Sequence, residues 1–211
     1  MVMKKYLKKM IIILNVWRIF PIWLIITTLP RKSRQNILSE LHYWGECARK
    51  EQKSDFGLLS SLLLENKEYR NLLYHRIRYD NRGYIRSMFV KVFFPRVNTL
   101  YINTIDIGYP LYIQHGFATV IAAKKVGSYC WINQQVTIGY TFDNEPPTIG
   151  NGVRVSAGAK VLGDIEVGDN SIIAANAVVV HAVEENEIVG GVPAKKIGIN
   201  DKHKLYKDVS K

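Results

Sequence analysis

Two cysteines, Cys47 and Cys130, are all that this chain of 211 residues carries. That is too few for a disulfide framework or a cysteine-rich zinc site. Cys130 falls where a repeat calls for an apolar residue, so it reads as a buried filler. Histidine is nearly as scarce: residues 101–211 hold only His115, His181 and His203, and His203 sits in a charged tail. A metal enzyme of the γ-carbonic anhydrase type needs three clustered histidines, so no metal is expected. His181 reads as exposed and structural. A cleavable signal pattern with a small-residue cut site is missing too, which makes a reducing cytoplasm the expected compartment.

Acidic residues are short in the first half. Residues 1–100 hold 19 Lys and Arg against 7 Asp and Glu, and residues 101–211 hold 10 against 11, so the net charge of +11 arises in the N-terminal half. A basic half invites a nucleic-acid reading. No motif supports it, and the basic residues are interleaved with apolar ones at helical spacing, so no nucleic-acid partner is expected. The largely apolar stretch Met10–Leu29 is flanked by basic clusters and carries Trp17 and Trp23. It is nearly long enough to span a bilayer, but Asn15, Arg18 and Pro21 interrupt it. Three fates stay open: lying at an anionic membrane surface, packing in an oligomer, or spanning. The first suits the Trp and basic flanks best and implies peripheral contact at the inner membrane face.

Residues 33–94 read as helical, with Ser33 and Asp55 as N-caps and Ile37, Leu41 and Trp44 on one face. His42 and His75 lie on these helices and read as structural or surface residues. Pro95 closes the segment.

From Ile149 onward the periodicity changes. Ile149, Val155, Val161, Val167, Ile173 and Val179 recur every six residues. A second small or apolar residue follows four positions after each: Val153, Ala159, Ile165, Ser171, Ala177 and Val183. A strict six fits neither a helix nor a simple strand. It is the mark of a β-helix, in which each hexad is one short strand and a turn. The rhythm continues upstream with slips. Ile107 and Ile113 lead two hexads, with Leu111 and Phe117 as inner partners. Val126, Ile132 and Ile138 lead three more, with Cys130 and Val136 inside. Residues 139–148, "GYTFDNEPPT", interrupt the stride and read as a loop pushed out of a corner, where binding residues commonly lie.

The run "IGNGVRVSAGAKVLGDIEVGDNSIIAANAVVV" followed by "GGVPAKKIG" resembles the hexapeptide-repeat acyltransferases, on the serine acetyltransferase branch with its capsule and exopolysaccharide O-acetyltransferase relatives. The likeness covers residues 99–198. It implies a mainly β fold: a left-handed parallel β-helix at residues 99–199. This would follow a helical, basic, membrane-proximal or oligomerisation module at 1–98 and precede a charged tail at 200–211. Handedness is taken from the resemblance, since parallel crossovers are otherwise right-handed. A homotrimer, or a dimer of trimers, is the implied assembly, and acetyl-CoA the implied donor.

The resemblance also assigns a role to His115 in "QHGFATVI". It stands where the family carries the histidine that deprotonates the acceptor hydroxyl, a task suited to imidazole. The family's partner aspartate, fifteen residues earlier, is Leu100 here, so Asp106, Asn103 or a backbone carbonyl is left to orient the ring. The coenzyme positions correspond to Gly139, Ala157 and Ala175, with Lys195 and Lys196 toward the adenosine phosphates. On the acceptor side Gln114 and Glu145 depart from the pattern. Glu145 and Pro146 replace an Arg and a His that hold serine. An anion in place of that cation disfavours an amino-acid acceptor, so the reading is an acetyl-CoA-dependent O-acetyltransferase acting on a sugar or polysaccharide precursor. Serine O-acetyltransferase of cysteine biosynthesis is the alternative, and an inert scaffold is the third reading.

Overall fold

The structure, a computed structural model, describes residues 2–50, 54–80, 83–141 and 145–201. It comprises two compact units, Met1–Val97 and Asn98–Lys211.

The first unit is helical: α1 (Val2–Thr27), α2 (Arg31–Cys47), α3 (Asp55–Glu65), α4 (Lys67–Arg78) and α5 (Gly83–Phe93). Both expected caps are corrected. The helix α2 starts directly after Pro30, which places Ser33 in its first turn, where the hydroxyl donates to Asp80 Oδ1 at 2.6 Å. Ser54 caps α3 by accepting from the Gly57 N–H at 3.2 Å. Asp55 is the first helical residue, and its carboxylate lies 3.0 Å from His42 Nε2. Asn66, with an extended backbone (ψ 101°), ends α3 and opens α4. Trp44 packs edge-on against Tyr69 at 5.3 Å among buried leucines. Beside them Arg76 grips Glu40 with two parallel bonds, 2.7 and 3.1 Å, both side chains 3% exposed. Two donors on two acceptors satisfy charges that burial would otherwise penalise heavily.

The second unit is a left-handed parallel β-helix of triangular section. Strands are numbered along the chain. The first face stacks β1 (Leu100–Ile102), β4 (Thr119–Ile121), β7 (Thr137–Gly139), β10 (Lys160–Leu162) and β13 (Val178–Val179). The second stacks β2 (Asp106–Ile107), β5 (Lys125–Val126), β8 (Thr148–Ile149) and β11 (Glu166–Val167). The third stacks β3 (Leu111–Ile113), β6 (Cys130–Ile132), β9 (Arg154–Val155), β12 (Ile172–Ile173) and β14 (Glu187–Gly191), and ends in β15 (Ala194–Ile199). Register puts the hexad leaders in columns, which Val189 and Val183 complete at the last coil. Ile113, Ile132, Val155, Ile173 and Val189 form one, and Ile107, Val126, Ile149, Val167 and Val183 another. A branched side chain in every coil fills the prism, each contributing roughly 1.5–3 kcal/mol of burial. Cys130 lies inside, as its hexad position requires, and burial pushes its thiol up to about 12.

One corner demands glycine. Gly108, Gly127, Gly150 and Gly168 stack along the turn between the second and third faces, each N–H donating to the coil beyond. A methyl on Gly127 would lie 2.4 Å from the Gly150 carbonyl oxygen. The "GGVPAKKIG" segment is not a loose turn: β15 pairs antiparallel with β14. Residues 142–144 of the expected loop, and His203 with most of the charged tail, lie outside the described residues.

Candidate active site

His115 stands on the corner between the third and first faces, just after β3. In the coils beyond, the third-face leader is followed by the first-face leader after six residues, as Ile132 by Ile138 and Val155 by Val161. From Ile113 to Ile121 the spacing is eight. The hydrogen-bond ladder locates the two extra residues. The Gln114 N–H donates to the Ile132 carbonyl, and the next rung runs from the Gln135 N–H to the Phe117 carbonyl. Thus Gln114 stacks on Asn133 and Phe117 on Gln134. His115 and Gly116 have no counterpart in the neighbouring coil; His115 is turned outward while Gly116 is buried. His115 is exposed with φ +54°, in the left-handed region that costs a residue with a Cβ roughly 1–2 kcal/mol. Ala118, Gln135 and Asn176 also have positive φ along this corner, so the conformation belongs to the turn of the coil as well as to His115. The insertion also corrects Phe117, which is 60% exposed rather than an inner partner.

Below His115 the same corner continues as a column. The Gly158 N–H donates to Gln134, and the Asn176 N–H to Ala157, so Phe117, Gln134, Ala157 and Ala175 follow one another down the edge. Gly190 packs against Ala174 at the next level, and its strand partner is Lys195. Four expected residues, His115, Ala157, Ala175 and Lys195, therefore share one edge of the prism. Lys196 points elsewhere: its Nζ lies 2.8 Å from Glu187 Oε1, and that bond holds the Glu187 carboxyl below its usual range.

The other expected residues sit apart within one chain. Gly139 ends β7 at the far edge of the first face, and nothing lies within 4 Å of where a Cβ would project. Glu145 is exposed in the loop after it, so Gln114 and Glu145 flank the first face from opposite corners. Asn103 lies on that same far corner, and Asp106 on the second face. Among the described residues no hydrogen bond joins either to the His115 ring. Leu100 is buried in β1 and has nothing to offer the ring. His181 is exposed, as expected.

Two residues escaped sequence reasoning. Trp131 Nε1 donates to Gln114 Oε1 at 3.2 Å, and Asn133 Nδ2 approaches the same oxygen at 3.5 Å. Both come from the coil below, through the register of β3 on β6. Beside the likeness of "QHGFATVI", the eight-residue spacing from Ile113 to Ile121 is a sequence signal for this corner.

The bacterial transferase hexapeptide family (six repeats) matches residues 146–181. Those residues lie within the second unit. Around them the chain is similar to serine acetyltransferases. Identity is 42% over 95 residues with that of Synechococcus elongatus, covering 43% of this chain and 39% of that protein. It is 42% over 96 residues with that of Mycobacterium tuberculosis, covering 44% and 42%. With that of Staphylococcus epidermidis it is 32% over 130 residues, covering 59% and 61%. The chain thus spans between about two-fifths and three-fifths of these relatives' lengths. Among solved structures, Neisseria gonorrhoeae serine acetyltransferase superposes with a TM-score of 0.62 at 25% identity, over 86% of this chain and 70% of that one. The chain also shares its fold with a serine acetyltransferase solved in complex with CoA, at TM-score 0.59 and 24% identity over 78% of this chain and 69% of that one.

Proposed function

We propose that the protein is an acetyl-CoA-dependent O-acetyltransferase with His115 as general base. The observation that carries this reading is the corner itself. An exposed histidine heads an edge that runs through Phe117, Gln134, Ala157 and Ala175 to the exposed Lys195. Ala157 and Ala175 leave the edge low enough for an extended thioester arm to approach backbone. The exposed Lys195 at the column's end suits phosphate groups as a point charge. Gly139 would serve the same ligand from the facing edge of another copy, which supports a homotrimer with sites between subunits, and a dimer of trimers as the further step. Acetyl-CoA supplies an activated acyl carbon. The His115 imidazole accepts the proton of an acceptor hydroxyl as its oxygen forms the new ester bond. The carbon–sulfur bond then breaks, and the same proton passes to the leaving sulfur.

For the acceptor, the relatives favour L-serine, the alternative of the sequence reading, over a saccharide. The saccharide reading keeps one specific observation: Glu145 and Pro146 stand where the resemblance puts the Arg and His that hold serine. Thiol release from acetyl-CoA, measured with L-serine and separately with sugar hydroxyls, decides between them. Release with serine that vanishes in His115→Ala supports serine O-acetylation. Release only with sugars supports the saccharide reading. A protein that binds CoA yet acetylates neither, or one whose turnover survives His115→Ala, overturns the assignment of His115. The compartment that goes with this reading is the cytoplasm, at the inner membrane face if the helical unit docks there.

A further inference from the structure

The helical unit exposes an apolar surface that its own core does not need. In α1 one stripe faces inward: Ile19 and Ile22 are fully buried and Ile26 nearly so. A second stripe, Met10, Ile13, Leu14, Trp17, Phe20 and Leu24, recurs at steps of one, three and four and lies exposed. The neighbouring α5 repeats the arrangement. Ser87 and Val90 point in, while Ile85, Met88, Phe89 and Val92 point out, Val92 at 74% exposure. The two outer stripes are one surface. Trp17 meets Phe93 edge-on at 6.1 Å, and Arg18 Nε donates to the Phe93 carbonyl at 3.2 Å.

Charge on these segments has one sign. No Asp or Glu precedes Glu40, while residues 1–39 hold eight Lys and Arg. None lies between Asp80 and Asp106, a stretch that includes all of α5 with Arg86 and Lys91. An apolar face of this extent on a soluble unit marks an interaction site. A second copy of the same face would bring two acid-free basic borders together. An anionic lipid surface meets both features, since tryptophan and aliphatic side chains enter the acyl boundary while lysine and arginine hold the headgroups.

We propose that the α1–α5 face docks the protein on an anionic phospholipid bilayer, with α1 lying along the interface. Spanning is disfavoured by the inner stripe. Met10–Thr27 gives 18 residues of apolar helix, near the lower limit for a crossing. Crossing would strip Ile19, Ile22 and Ile26 from the unit's core and pull Arg18 from the Phe93 carbonyl and from its place 4.8 Å over the Phe94 ring. This proposal is independent of the acceptor chemistry.

The test is flotation of the full chain with phosphatidylglycerol-containing vesicles and with pure phosphatidylcholine vesicles. Trp17→Ser and Val92→Asp serve as separate variants, with thiol-release activity as the check on folding. The expected result is binding to the anionic vesicles alone, weakened by salt and reduced roughly tenfold or more by either variant, with activity retained. Equal flotation with both lipids, or none with either, overturns the proposal. So does binding that resists high salt and alkaline carbonate, which indicates a spanning helix. A dimer that Val92→Asp dissociates, with no vesicle binding, assigns the face to a second copy instead.

Discussion

The indole nitrogen of Trp131 donates to the side-chain oxygen of Gln114 at 3.2 Å, one residue before His115. Trp131 is itself braced by Tyr112, edge-on at 4.5 Å. The amide is thereby fixed beside the proposed base and can present its nitrogen to an acceptor. Trp131→Phe keeps the ring packing and deletes the donor. The expected outcome is an acceptor KM raised several-fold with kcat little changed, and Gln114→Ala should reproduce it. Steady-state kinetics with varied acceptor check this, and an unchanged KM in both variants removes Gln114 from the acceptor site.

His115 combines a catalytic assignment with a backbone that resists any side chain. His115→Ala and His115→Gly should both lower kcat/KM by about 100-fold or more. Only the glycine variant relieves the φ of +54°. It should match or exceed wild-type stability, by up to about 1 kcal/mol. Chemical denaturation of all three proteins measures this. A glycine variant well below wild type would show that the ring contributes packing, contrary to its exposure.

Two glycines of the β-helix should answer differently to the same change. Gly127→Ala places a methyl 2.4 Å from the Gly150 oxygen, so the coils must part, at a cost of roughly 2 kcal/mol or more. Gly139→Ala meets no atom within 4 Å and should leave stability within about 0.5 kcal/mol. If Gly139 lines the donor groove, its alanine variant raises the KM for acetyl-CoA while the fold melts as before. Thermal melts and donor kinetics separate the two effects.

In the helical unit the Arg76–Glu40 pair is buried and bidentate. Arg76→Met removes both bonds to the buried Glu40 carboxylate and should cost about 3–5 kcal/mol. Adding Glu40→Leu removes the buried charge and should restore much of the loss. A double-mutant cycle by urea denaturation reads the coupling, and additive losses would contradict it.

Some of this was legible in the residues alone. The six-residue stride from Ile149 to Val179 requires coils with one inward side chain each, so the β-helix and the burial of Cys130 followed from periodicity. Helix ends were less legible. Ser33 and Asp55 are good capping types, but Pro30 and Ser54 took those roles because a cap is decided by which residue's backbone turns first. The outward place of Phe117 was hidden for a related reason. A period predicts facing only while it holds, and the two-residue insertion at His115 and Gly116 breaks it.

By itself, then, the sequence determined the solenoid, because burying a branched residue in every coil is a local and repetitive demand. It also set the one-sided charge of the N-terminal half, which no folding can redistribute. Tertiary structure alone decided that His115, Ala157, Ala175 and Lys195 share one edge, because residues up to 80 positions apart are aligned only by the stacking of coils. It likewise decided that α1 keeps a second apolar stripe exposed. Which side of an apolar helix is buried depends on the neighbours that pack against it.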